Sequence, residues 1–262
     1  MTQLSLQGVG LSLNGNPVLS DVELSLEPGD FVALIGPNGS GKTSLIKLAL
    51  GLHPPGTGKA LLDGVALSSL SAKRRAASLA WLPQRWEPSE ALPVVELVAA
   101  ARYRLNEPFA VAEHAATRAL TRVGAEAFTS RGIDELSGGE LQRVLLACVV
   151  AQEAPLLFFD EPANHLDPRH QIATYRLLGE LWRAGAGVLC VTHDINLLSH
   201  VGEARRLRVL GLRQGRVVLQ THFADPDLAD GLSELYGAEY AEFADDSVRH
   251  FYVRATGLGG AG

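Results

Sequence analysis

Gly36-Pro37-Asn38-Gly39-Ser40-Gly41-Lys42-Thr43 fits the spacing G-x-x-x-x-G-K-[ST] at every fixed position. Glycines let a backbone curl until successive N–H groups converge, and convergent N–H groups bind phosphate oxygens. Lys42 adds a mobile positive charge for β- and γ-phosphates, and the Thr43 hydroxyl can ligate Mg²⁺. The flanks agree with this reading. Phe31–Ile35 is a short apolar run suited to a buried strand entering the loop. Ser44–Leu50 follows with helical spacing and stops at Gly51, so the loop opens a helix whose N-terminus favours anions. Only Lys42, Lys47, Lys59 and Lys73 supply lysine in 262 residues, which argues against a Gly-Lys-Thr produced by abundance.

Two further stretches extend the chemistry. Leu156-Leu157-Phe158-Phe159-Asp160-Glu161 reads as an apolar strand delivering two adjacent acids. An aspartate at a strand end beside a phosphate loop is placed to hold Mg²⁺, and the next acid can polarise an attacking water. Leu136-Ser137-Gly138-Gly139-Glu140 carries serine and glutamate three residues apart, a capping box that opens a helix over 138–153. Such a helix end, with its glycines and hydroxyl, is also an exposed anion site. Two separate phosphate-binding surfaces on one chain suggest a head-to-tail dimer in which both chains clamp each nucleotide.

The order of elements predicts an α/β protein. Strand patterns cover Leu4–Leu6, Val22–Leu26, Phe31–Ile35, Lys59–Leu62 and Leu79–Leu82. From about Pro93 to Glu153 the pattern is helical, over Val94–Leu105, Val111–Val123 and Leu141–Ala151. Strands return at Leu156–Asp160, Val188–Thr192, Leu207–Leu212 and Arg216–Leu219, with a helix over Arg169–Ala184. A helical block between α/β halves predicts a lobe inserted into a nucleotide-binding core. The glycine-rich end, 257–262, is expected to fray.

Bulk properties exclude other classes. The net charge is −6, and the arginine pairs Arg74-Arg75 and Arg205-Arg206 make no basic stripe, so no nucleic-acid partner is expected. Gln84-Arg85-Trp86 reads as packing rather than as a base-stacking element. Val144–Ala151 is the best apolar run and is too short to span a bilayer, and the N-terminus lacks a signal-peptide pattern. Cys148 and Cys190 read as free core thiols of a reducing compartment. His165, His170, His193 and His200 form no metal-ligand spacing, and only His193 follows a strand end.

In these motifs the sequence resembles the ATP-binding subunits of ABC transporters, up to about residue 254. Gly36–Thr43 matches the family's Walker A loop, Leu156–Asp160 its Walker B strand and Leu136–Glu140 its signature motif. Glu161 aligns with the catalytic glutamate, Gln84 with the Q-loop glutamine, Asn164-His165-Leu166-Asp167 with the D-loop and His193 with the switch histidine. The resemblance implies a P-loop NTPase core of RecA-like type with an antiparallel β subdomain and an inserted α-helical subdomain. It implies one domain over 1–254, the core from 1–84 and 156–254, the helical part over about 85–155, and a flexible tail at 255–262.

It also implies ATP hydrolysis with Mg²⁺. Catalysis would fall to Glu161 and His193, assisted by Lys42 and Gln84. Nucleotide contacts would come from Gly36, Pro37, Asn38, Gly39, Ser40, Gly41, Lys42, Thr43 and Ser44, with Ser137, Gly138, Gly139, Glu140 and Asp167 completing the set. Thr43, Gln84 and Asp160 would surround the metal. The implied partners are a second copy of the chain, integral membrane permease subunits and, indirectly, a periplasmic or surface substrate-binding protein. The implied location is the cytoplasmic face of the inner membrane. The end Leu235-Tyr236-Gly237 followed by short strands is most similar to importers of iron-siderophores, haem or vitamin B12. An ATPase of lipid or drug export and a soluble iron–sulfur assembly ATPase are the alternatives. Two departures stand out: Glu140 where the family usually has glutamine, and aliphatic Leu13 where an aromatic often stacks on adenine.

Overall fold

Alternating apolar residues near the N-terminus build a ribbon of β1 (Leu4–Leu13) and β2 (Asn16–Leu26). Asn14 and Gly15 join them at φ of 51° and 79°, the left-handed pair a tight hairpin turn demands. The computed structural model describes residues 2–86, 92–244 and 248–254. With β4 (Thr57–Leu62) and the short β5 (Val65–Ala66), these strands form an antiparallel sheet in the order β2-β1-β4-β5. β1 and β2 run well beyond the expected Leu4–Leu6 and Val22–Leu26. Register shifts between Leu6 and Val9 and between Val9 and Leu11 carry the strand past Gly8 and Gly10. Each such bulge inserts a residue and breaks the period-2 pattern on which sequence reading depends.

The second sheet contains β3 (Phe31–Ile35), β6 (Leu79–Leu82), β7 (Leu156–Asp160), β8 (Gly187–Val191), β9 (Leu207–Arg213) and β10 (Arg216–His222). Its order is β10-β9-β3-β8-β7-β6, parallel except for β10 against β9. Parallel strands covered on both faces read as continuous apolar runs, as β3, β7 and β8 do. Their side chains divide by parity. Phe31, Ala33, Ile35, Leu157 and Phe159 enter one core, and Val32, Leu34, Leu156 and Phe158 enter the other.

The helices are α1 (Lys42–Ala49), α2 (Ala72–Ser78), α3 (Val94–Ala100), α4 (Phe109–Arg122), α5 (Gly138–Gln152), α6 (Pro168–Arg183) and α7 (Leu228–Tyr236). A third core joins α3, α4 and α5 through Val94, Val98, Ala116, Leu120, Val144 and Ala147. The helix expected over Val94–Leu105 stops at Ala100, and a 3₁₀ turn follows at Tyr103–Leu105. Buried Arg102 turns there to meet Ala151 O and Glu107, while Asn106 adopts φ 51° to redirect the chain into α4. A final hairpin of β11 (Tyr240–Ala244) and β12 (Arg249–Val253) closes the described chain. The expected flexible tail at 255–262 lies outside the described residues.

Candidate active site

Four loops leave the carboxyl ends of four neighbouring parallel strands, the edge where α/β sheets place ligands. β3 leads to Gly36–Gly41, β8 to Thr192-His193, β7 to Glu161 and β6 to Gln84. The loop after β3 depends on glycine at named points. Gly36 has φ 147°, and a Cβ there would lie 2.1 Å from Leu212 O. Gly41 has φ 105°, and its Cβ would press on Leu19 and Val18 O at 2.9 and 3.0 Å. The turn after β9 fixes the loop's middle, with Gly215 N–H donating to Ser40 O at 3.0 Å. At its first residue, Gly36 N–H donates to the Tyr236 hydroxyl at 3.1 Å.

Lys42 is buried and curls back over this loop, donating to Gly36 O at 2.7 Å and Pro37 O at 2.9 Å. Burial lowers its pKa, and the charges of Glu161 and Asp160 oppose that fall. Asp160 is 1% exposed, and neither carboxylate oxygen has a hydrogen-bond partner. Burial raises its pKa, and the neighbouring Thr43 hydroxyl counters this from outside hydrogen-bond geometry. A buried carboxylate with bare oxygens is costly unless something cationic meets it. Asp160 beside Thr43 therefore fits a hard divalent cation such as Mg²⁺, which takes oxygen ligands.

Glu161 takes the opposite arrangement. Its φ of 54° turns it out of the strand line, and its N–H donates to Val191 O at 3.1 Å. Three side chains then converge on its Oε2: Gln84 Nε2 donates at 2.9 Å, Asn164 Nδ2 donates, and His193 Nδ1 lies 3.8 Å away. Gln84, expected at the metal, is thus engaged with Glu161. His193 is 63% exposed, whereas Glu161 is 13% exposed. Sequence reading missed the support behind the histidine. The buried Tyr175 hydroxyl donates to Thr192 Oγ1 at 2.7 Å, and Thr192 Oγ1 accepts from Asp194 N–H at 3.1 Å. No spacing announces a tyrosine on α6 reaching a strand end.

The second anion surface stands apart from the first. Ser137 caps α5 in the expected box: Glu140 N–H donates to Ser137 Oγ at 3.4 Å, and Ser137 N–H to Glu140 Oε2 at 2.8 Å. Those bonds and Arg131, 3.1 Å from Glu140 Oε1, hold the Glu140 pKa low. Glutamate thus completes the cap where the family usually has glutamine. No hydrogen bond among the described residues joins 137–140 to 36–44. Asp167, expected at the nucleotide, is committed elsewhere. Its Oδ1 accepts from His170 N–H at 3.0 Å to cap α6, and its Oδ2 lies 2.8 Å from His170 Nδ1. Of the pair Arg74-Arg75, Arg75 turns inward and donates to Leu70 O at 2.8 Å.

Comparison with known proteins identifies the family. The ABC transporter family model matches residues 19–164. The hemin import ATP-binding protein HmuV of Bordetella pertussis is 37% identical over 252 residues, covering 90% of this chain and 92% of that protein. The zinc import ATP-binding protein ZnuC of Pseudomonas aeruginosa is 41% identical over 194 residues, covering 74% of this chain and 66% of that one. The dimeric, post-hydrolysis ATP-binding cassette MJ0796 with ADP and Pi superposes at a TM-score of 0.76. It is 25% identical over 85% of this chain and 99% of that one. The chain therefore belongs to the ABC transporter family, as one of its ATP-binding, ATP-hydrolysing subunits.

Proposed function

We propose that this chain, as a 1–254 cassette with its helical part over about 85–155, energises import of a metal chelate through a separate permease. One observation carries the catalytic half of this reading. Lys42, Asp160, Glu161, His193 and Gln84 gather at the carboxyl ends of adjacent strands, while the Ser137 helix end faces elsewhere. A triphosphate lies along the N–H groups of 36–44, and Lys42 leaves Gly36 O and Pro37 O for the β- and γ-oxygens. Thr43, Asp160 and, once released from Glu161, Gln84 would hold Mg²⁺, which would offset charge on the transferring phosphoryl group. Glu161 Oε2 takes up the attacking water in place of its present amide donors, and His193 steadies the γ-phosphate end. Ser137, Gly138 and Gly139 of a second copy close over the triphosphate, so hydrolysis is a property of the dimer. Asp167 sets the path of 164–167 rather than touching nucleotide.

The import half rests on resemblance. The hemin importer is similar over 90% of this chain and 92% of its own length, whereas the zinc importer is similar over 74% and 66%. That extent favours haem, a siderophore or cobalamin as cargo. No helix among the described residues is long and apolar enough to cross a membrane. In this reading the passage belongs to a permease that holds this subunit at the cytoplasmic face, fed outside by a substrate-binding protein. Substituting Glu161→Gln tests the chemistry: turnover falls about 10²–10⁴-fold with ATP affinity kept. Retained turnover excludes Glu161 as the base. Affinity capture from detergent extract tests the partner: a polytopic permease, reconstituted and transporting haem, supports the proposal. An exported lipid or drug, or a soluble iron–sulfur scaffold in place of the permease, overturns it.

A further inference from the structure

The carboxyl-terminal segment touches both sides of the candidate site. On one side, the Tyr236 hydroxyl at the end of α7 accepts from Gly36 N–H, 200 residues away. That amide is the first of the phosphate loop. On the other side, β12 grips the 3₁₀ turn Ile195–His200 that follows the switch histidine. Asn196 Nδ2 donates to Phe251 O at 3.1 Å, and Phe251 N–H returns a bond to Asn196 Oδ1 at 2.7 Å. The Ser199 hydroxyl adds a bond to Arg249 O at 2.8 Å. From Asn196 the connection runs straight to the switch: its N–H donates to Asp194 Oδ1 at 2.9 Å, next to His193.

These two grips belong to one unit. The Tyr236 and Tyr240 rings pack 5.6 Å apart, linking α7 to β11. Arg249 pairs with Glu242 through both forks at 2.5 Å and lies over the Phe223 and Phe251 rings at 5.8 and 5.1 Å. It also donates to Phe223 O and, at 2.9 Å, to Asp225 O, so the hairpin is tied to the loop that leads into α7. A bidentate guanidinium pair with aromatic faces is stiff as well as attractive.

We propose that Tyr236 and Asn196 are positioning residues through which α7 and the strands β11 and β12 hold the phosphate loop and the switch histidine at a fixed separation. The idea rests on the reading of Gly36–Ser44 as the triphosphate cradle and of His193 as its γ-phosphate contact. The two residues act on different quantities. Tyr236 shapes the cradle before and after ATP arrives, so its loss weakens binding. Asn196 sets where His193 sits during reaction, so its loss slows turnover.

The experiment compares Tyr236→Phe, Asn196→Leu and the milder Ser199→Ala in the ATP-hydrolysing wild-type background, with melting curves and titration of Mg-ATP. Tyr236→Phe keeps the ring packing on Tyr240 and deletes only the hydroxyl. It is expected to raise the ATP Kd and KM about two- to tenfold, the effect of one hydrogen bond, with kcat unchanged. Asn196→Leu and Ser199→Ala are expected to lower kcat by about two- to tenfold while Kd stays fixed. If all three variants move KM and kcat together, or move neither, the brace is wrong. If Asn196→Leu fails to fold, Ser199→Ala alone decides the switch side. Failure of the underlying reading looks different: Lys42→Ala would then bind Mg-ATP, and His193→Ala would turn it over, like wild type, whatever the brace variants do.

Discussion

Replacing Asp160 by asparagine should make the nucleotide-free protein more stable and the Mg-ATP-bound protein comparatively less so. Asp160 is 1% exposed with two unpartnered oxygens. Desolvation dominates its environment, and the attraction of Lys42 is a smaller opposing influence. Leaving one buried polar group unsatisfied costs about 1–3 kcal/mol, and a charge raises that cost. Asparagine has the same shape without the charge, so roughly 1–2 kcal/mol should be recovered. For a chain of this size each kcal/mol moves the melting point by roughly 2–4 °C, so the variant should melt about 2–8 °C higher in EDTA. The pH dependence has a definite sign. A carboxyl whose folded pKa is raised favours the folded state below its unfolded pKa, and that contribution disappears as pH rises through the folded pKa. The advantage of the variant should therefore be full near neutrality and vanish in acid. Mg-ATP should reverse the order, because wild type gains ligand stabilisation that asparagine forgoes. The assay is thermal melting of both proteins from pH 4 to 8, with EDTA or with Mg-ATP. A variant that melts lower in EDTA at pH 7.5, or gains as much from Mg-ATP, refutes the reasoning.

Other substitutions probe other parts of the site. Ser137→Arg should abolish steady-state phosphate release yet leave ATP binding to the isolated chain within about twofold, if, as proposed, the Ser137 helix end serves the partner's nucleotide; equilibrium titration beside turnover checks both. Leu13→Tyr should tighten ATP binding about two- to tenfold, the equivalent of 0.5–1.5 kcal/mol of stacking, and an unchanged affinity removes Leu13 from the adenine site. Gly36→Ala should cost at least about 2 kcal/mol of stability and most nucleotide affinity. Its Cβ would meet Leu212 O at 2.1 Å, so a wild-type melting curve would contradict the loop geometry.

Legibility in the sequence followed the physics of each element. The parallel strands were readable because burial on both faces demands unbroken apolar runs, as in Leu156–Phe159. The α5 start was readable because Ser137 and Glu140 cap it with their own side chains, a local event. Where one residue answers to a distant partner, the pattern failed. Arg102 sits in an apparently continuous helical pattern, yet α3 stops at Ala100 and Arg102 is buried against Ala151 O, 49 residues on. Asp167 carries the family's acidic spelling, but whether it faces nucleotide or caps α6 depends on where α6 begins. Tyr175, Asn196 and Tyr236 act across 17, 55 and 200 residues, so no window along the chain contains both halves of their bonds. α2 and α7 went unread as helices; α2 has no buried residue and hence no apolar period.

The strand order β3-β8-β7-β6 has a metric consequence. Neighbouring strands lie about 4.8 Å apart, so the loops bearing Gly36, His193, Glu161 and Gln84 are pegged along one edge at multiples of that spacing. The sheet is a ruler. Its graduations are set by backbone hydrogen bonds and locked by cores on both faces, and no substitution in a loop can rescale them. A nucleotide adapts to this edge rather than the reverse. In the proposed reaction the side chains of Lys42 and Gln84 shift locally, and the larger motion would come from outside the ruler, from the facing copy's Ser137 helix.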